Sequence, residues 1–173
     1  TEKRPVHTLI TSGMSDLKMN VPAEVNSTPY MELMVVLPAA WQISEESFQN
    51  EDWYWPIRQL KILARFPHKL NTWLAWGHTI PNGDPAEPFS ANTKLSGVII
   101  LPPVSSANDF ASLEINENKV IEFYSVVPLY NEEMNFKLNK GAEALLEKFN
   151  KYKMNDLIVP DRKNVAKKRF GLF

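Results

Sequence analysis

The chain has 173 residues, 44% of them hydrophobic and 23% charged, with a formal net charge of −1. A chain of that size and make-up builds one globular domain and buries enough apolar surface to hold a core unaided. It has no cysteine, which excludes disulfides, thiolate metal sites and cysteine nucleophiles, and its near-neutral charge gives no global field for nucleic acid.

Residues 6–10 (VHTLI) predict a short strand, and TSGMSDLKM after them predicts a turn or loop around Gly13. Residues 30–37 (YMELMVVL) are apolar almost without a break, as in a strand buried on both faces, and Pro38 closes them. Ser44 is placed to cap a short helix with Glu45 and Glu46 in its first turn. A second helix is predicted to begin near Trp55-Pro56, where proline suits the first turn. It would put Ile57, Leu60 and Ala64 on one face and stop at Pro67.

Residues 72–80 (TWLAWGHTI) predict a strand running into a Pro81-Asn82-Gly83-Asp84 turn. Residues 95–101 (LSGVIIL) read as a buried strand ended by Pro102-Pro103. Residues 110–115 and 119–127 flank Asn116-Glu117-Asn118 as a hairpin. Asn131 is an N-cap candidate for a helical pattern reaching Tyr152, which Gly141 interrupts, so one helix or two fit. Residues 156–159 predict a last short strand. These elements alternate without a βαβ rhythm. The expected fold is α+β, a mixed or antiparallel sheet with two to four helices packed on it, in a single domain over residues 1–160. Residues 161–173, with Arg162, Lys163, Lys167, Lys168 and Arg169, read as a basic C-terminal tail. Solvation is the ordinary fate of such a tail, and a phosphate-contacting arm the sharper alternative.

The residues carry little that demands chemistry. His7, His68 and His78 show no zinc-binding helical spacing, and no glycine-rich nucleotide cradle or nucleophile elbow occurs. Ser12 or Ser96 with His78 and Asp84 are the residues available for a triad. No catalytic, cofactor or metal site is expected. No apolar run reaches the ~18–20 residues of a membrane span, and TEKRPVH has no apolar signal-peptide core. The expected setting is therefore cytoplasmic, without a membrane partner.

Glu45, Glu46, Glu51 and Asp52 cluster beside Trp53, Tyr54 and Trp55. Solvated acids and core aromatics explain such a cluster, most of all for Trp55. Otherwise Glu45, Glu46, Glu51, Asp52, Trp53 and Tyr54 form a partner-binding surface, aromatics supplying area and acids steering a basic partner. Glu114, Glu117, Glu132 and Glu133 offer a second acidic surface, and the 110–127 hairpin an edge for strand addition.

Four segments, TSGMSD at 11–16, YMELMVVLPAAW at 30–41, WYWPIRQLKILARFPHKLNTWLAWGHTI at 53–80 and LSGVIILPP at 95–103, together resemble the suppressor of fused-like domain family in type, order and spacing. The resemblance implies a scaffold with no catalytic residues. Animal members bind and restrain a transcription factor and carry a further C-terminal domain, for which this chain has no room. Short bacterial members resemble immunity proteins, or antitoxins, encoded beside toxins that are often nucleases. The expected function is thus non-enzymatic: a protein that neutralises a cognate toxin by direct binding, its acids facing the toxin's basic cleft, with no direct nucleic-acid contact. The alternatives are a regulatory scaffold that sequesters a nucleic-acid-binding protein and a hydrolase using His78.

Overall fold

The two most apolar runs of the sequence become the centre of a six-stranded mixed sheet. The computed structural model describes residues 5–105 and 110–167. The strands are β1 (Val6–Ile10), β2 (Met31–Pro38), β3 (Thr79–Pro81), β4 (Leu95–Leu101), β5 (Ser112–Asn116) and β6 (Lys119–Tyr130). The helices are α1 (Glu51–Leu70), α2 (Asn131–Lys140) and α3 (Ala142–Lys151), with short 3-10 turns at Met14–Asp16 and Ser47–Gln49. Sheet order is β1-β2-β6-β4-β3, with β5 hairpinned onto β6. The β2–β6 pair is parallel, and the other strand pairs are antiparallel. This is the expected α+β domain.

Alternation along the central strands builds a core on each face. Leu33, Val35 and Leu37 of β2, Val98 and Ile100 of β4 and Val126 of β6 pack with Trp55, Leu60 and Leu63 of α1. On the other face Ile99, Leu101, Val127 and Leu129 pack with Met134 of α2 and with Leu145 and Phe149 of α3. Gly97 makes the second layer possible. A Cβ there would lie 2.1 Å from Met134 Sδ and 3.1 Å from the Ile80 carbonyl oxygen. Gly97→Ala is expected to cost about 1–3 kcal/mol through overpacking, read as a lower urea midpoint at unchanged slope.

Several elements differ from expectation. α1 starts at Glu51, four residues before Trp55, because the Asn50 side chain caps it by accepting from the Asp52 N–H at 2.9 Å. Pro56 therefore sits inside the helix, and the Asp52 carbonyl that it leaves without a helical donor receives the Asn92 side-chain amide at 3.4 Å. Nor does Pro67 stop α1. The helix runs on to Leu70, where Asn71 enters the left-handed region and the Thr72 N–H returns to the Pro67 carbonyl. The helix expected after Ser44 is reduced to the 3-10 turn, with Ser44 Oγ accepting from the Ser47 N–H at 3.1 Å.

Residues 72–80 supply only the start of β3. The chain turns at His78, whose N–H donates to the Ala75 carbonyl, and leaves Thr79–Pro81 to pair with β4. Residues 156–159 add one bridge, Leu157 beside Val36, instead of a strand. The 131–152 pattern does break at Gly141 into α2 and α3. α2 begins on Asn131 itself, with the Tyr130 N–H donating to Glu133 Oε2 at 3.1 Å. Residues 161–167 do not trail into solvent: Arg162 and Val165 pack into the domain. Lys168 and Arg169 lie outside the described residues.

Candidate docking site

One carboxylate organises the strand-to-turn segment after β1. Glu32, buried in β2, accepts from the N–H groups of Gly13 and Ser15, both at 3.0 Å, from Ser15 Oγ at 2.7 Å and from Thr11 Oγ1 at 2.5 Å. Gly13 permits the wrap, since its φ of 102° is poorly open to other residues. Burial alone would raise the Glu32 carboxyl, but the bonds from Thr11, Ser15 and Gly13 outweigh it and hold the pKa below its ordinary value. His68 Nε2 donates to the Met14 carbonyl at 3.0 Å and ties the same turn to α1.

Between this turn and α1 lies an open groove of about 770 Å³. Leu9, Ile10, Gly13, Met14 and Leu17 line one side. Ile57, Leu60, Lys61, Ala64, Arg65, His68 and Lys69 of α1 line the other, and Ile43 and Phe48 complete it. Met14 and Leu60 form its buried floor, whereas Leu17 at 62% exposed and Ile43 at 39% are unusually open for their type. A neighbouring depression on the outer side of α1 shares Lys61, Arg65 and Lys69 with it. Arg58, Lys61, Arg65 and Lys69 recur at helical spacing as a basic ridge. No carboxylate lines either depression among the described residues.

The six residues expected to bind a partner divide. Glu45 and Glu46 are exposed in the loop between the groove residues Ile43 and Phe48. Glu51 pairs with Arg58 at 3.0 Å, and Asp52 accepts from the Asn92 N–H at 3.3 Å. Trp53 is half-buried, edge-on to Trp41, and its carbonyl accepts the Trp41 indole N–H at 2.9 Å. Tyr54 packs on Phe48, and its hydroxyl accepts from Lys61 Nζ at 3.1 Å. Trp55 is wholly buried, stacked on Phe89.

Of the second acidic set, Glu114, Glu117 and Glu132 are exposed, whereas Glu133 is fully buried against Arg162 and offers no surface. β5 is exposed along its length.

The residues available for a triad are not brought together. His78 is half-buried edge-on to Trp73, and burial, then the Lys137 charge, lowers its pKa. Its backbone pairs with Ile100, four positions along β4 from Ser96, a spacing of about 13 Å. The Ser96 hydroxyl is buried without a hydrogen-bond partner among the described residues. Ser12 lies at the groove, and Asp84 in the exposed loop after β3. Among the described residues, no helix is long and apolar enough to cross a membrane.

A mixed sheet carrying one helix on one face and two on the other, with an open apolar groove at its β1 side, defines an α+β domain with a concave surface. The chain belongs to the Suppressor of fused protein (SUFU) family, whose model matches residues 1–163. A protein of Ureaplasma parvum serovar 3, described only as uncharacterized, is 22% identical over 148 residues, 86% of this chain and 68% of its own length. The crystal structure of a SUFU homologue from Neisseria gonorrhoeae superposes at a TM-score of 0.65 with 15% identity, covering 94% of this chain and 71% of that one. The Sufu-Fu complex superposes at 0.62 with 14% identity, over 91% and 69% of the two chains. Drosophila Suppressor of Fused superposes at 0.63 with 15% identity, and the 91% of this chain that matches spans 38% of the fly chain. These likenesses are likenesses of fold.

The groove residues escaped the sequence reading. Two signals pointed to them: Leu17 stands alone between polar neighbours, and Lys61, Arg65 and Lys69 recur every four residues.

Proposed function

We propose that this chain is a non-enzymatic, cytoplasmic protein-binding domain that neutralises a toxin by seating part of it in the groove between β1 and α1. The observation that carries the reading is the groove itself: exposed Leu17 and Ile43 beside half-buried Leu9 and Phe48. Apolar area of this kind is stabilised when another protein covers it. The family adds support, because a solved relative is a complex of Sufu with Fu.

The test is co-expression with the protein encoded beside this gene, scoring growth and co-purification. A neighbour that stops growth alone, and is rescued as a stable complex, supports the reading. A harmless neighbour, or rescue without a complex, overturns the toxin assignment. Glu45 and Glu46 are the two acids of the cluster whose side chains make neither an ion pair nor a hydrogen bond among the described residues. Converting both to Gln is expected to slow association with a basic toxin about 3–10-fold at low salt and hardly at all at high salt. Stopped-flow mixing at two salt concentrations checks it, and an unchanged rate removes the steering role.

A further inference from the structure

We infer that the occupant of the groove is an extended segment of a partner protein, apolar and acidic, which adds as a strand to the outer edge of β1. This deepens the protein-binding reading and rests on it.

The edge argument follows from register. The Thr11 N–H donates to the Leu33 carbonyl at 2.8 Å, and β1 pairs with β2 through Leu9↔Val35 and Thr8↔Val36. Backbone groups alternate in direction along an antiparallel strand, so Leu9 and His7 also turn theirs towards β2, and Thr8 and Ile10 turn theirs outward. β2 agrees: the Val36 carbonyl faces away from β1 and accepts from the Ile158 N–H at 2.8 Å. No backbone partner reaches Thr8 or Ile10 from outside among the described residues.

Proteins blunt such edges with charge, proline or brevity. β3 is three residues long and ends in Pro81, and β5 carries Glu114. β1, Val-His-Thr-Leu-Ile, has none of these devices within its span. An added strand would place alternate side chains on the α1 side of the sheet, over the groove. There it meets half-buried Leu9 and exposed Leu17, and beyond them Lys61, Arg65 and Lys69, with no carboxylate lining the groove among the described residues. Apolar side chains mixed with carboxylates complement that surface, and basic ones are repelled. A wholly phosphate-driven ligand would leave the apolar lining uncovered.

The probes are fluorescein-labelled nonapeptides: one of Leu, Val, Asp and Glu, its Lys analogue, and the acidic peptide with a central proline. A single-stranded oligonucleotide is the competitor. Fluorescence anisotropy should show the acidic peptide binding at least about tenfold tighter than either analogue. Amide shifts in the ¹⁵N-labelled chain should centre on Thr8, Ile10 and α1. Thr8→Pro removes an outward donor, and Lys61→Glu with Arg65→Glu reverses exposed charge. Each should weaken binding about tenfold or more, with circular dichroism and melting reporting that the fold is kept. If Thr8→Pro does not fold, the charge reversal decides alone.

Equal binding of the acidic and Lys peptides overturns the inference. So do full displacement by the oligonucleotide, shifts remote from β1, or no acidic-peptide binding at millimolar concentration. Failure is separable from failure of the functional reading. A toxin complex that Thr8→Pro and the charge reversal leave intact keeps the binding function and removes this groove. Peptide capture without a toxin complex does the reverse.

Discussion

Arg162→Ala is expected to lose about 3–5 kcal/mol of unfolding free energy, because it strands a charge inside the protein. The Arg162 side chain is 8% exposed and that of its partner Glu133 is fully buried. The guanidinium donates to both Glu133 oxygens and to the carbonyls of Pro128 and Lys163, and lies over the Tyr130 and Phe149 rings. Glu133 also accepts the N–H groups of Tyr130 and Val165. Removing Arg162 leaves those two N–H donors facing an ionised carboxylate that no longer has its cation. The double variant Glu133→Gln, Arg162→Met buries no charge and keeps an acceptor oxygen for one of the two N–H groups, so it should still lose less than Arg162→Ala alone. Urea unfolding at neutral pH measures all three proteins. A loss below about 1 kcal/mol for the single variant would place the pair with weak, solvent-relaxed ones.

That pair also shows where reading a sequence runs out. Glu133 stands in an acidic helix start and Arg162 in a basic stretch 29 residues away. Locally, each looks like a surface residue. Only the return of residues 161–167 across α2 makes them a buried unit.

The layered core was legible for the opposite reason. The runs at 30–37 and 95–101 are apolar on both faces, which requires cover on both sides of the sheet, and the break at Gly141 divides α2 from α3 within the chain itself. Residues 72–78 misled because Trp73 and Leu74 have an apolar, strand-like character. Their apolar side chains are instead satisfied by packing through a turn. The start of α1 misled because Pro56 suggested a first turn, while the cap at Asn50 lay five residues before Trp55. At the site, the acidic cluster was visible but half of it is engaged at home, by Arg58 and Asn92. The groove forms between β1 and α1, segments far apart in the chain, so its shape had no local signal.

Glu32→Gln joins stability to the docking surface. The carboxylate gathers four donors from Thr11, Gly13 and Ser15, the turn that forms one wall of the groove. An amide offers one acceptor oxygen in place of two, and its NH₂ confronts a donor, so a loss of about 2–4 kcal/mol at neutral pH is expected. The pH dependence gives the signature. The folded-state pKa lies below the ordinary glutamate value. The unfolded chain therefore takes up the proton first as pH falls, and the contribution of Glu32 is complete above the unfolded pKa. The stability gap between the wild type and Glu32→Gln should hold steady from pH 7 down to about 5. It should close as pH falls through the folded pKa. Denaturant titrations across that range test it, and a gap independent of pH would mean that the charge on Glu32 contributes nothing to holding the turn. If Glu32 holds the wall, the variant should also blunt acidic-peptide capture at neutral pH while it is still fully folded, because Gly13 and Met14 would no longer be pinned beside Leu9 and Ile10.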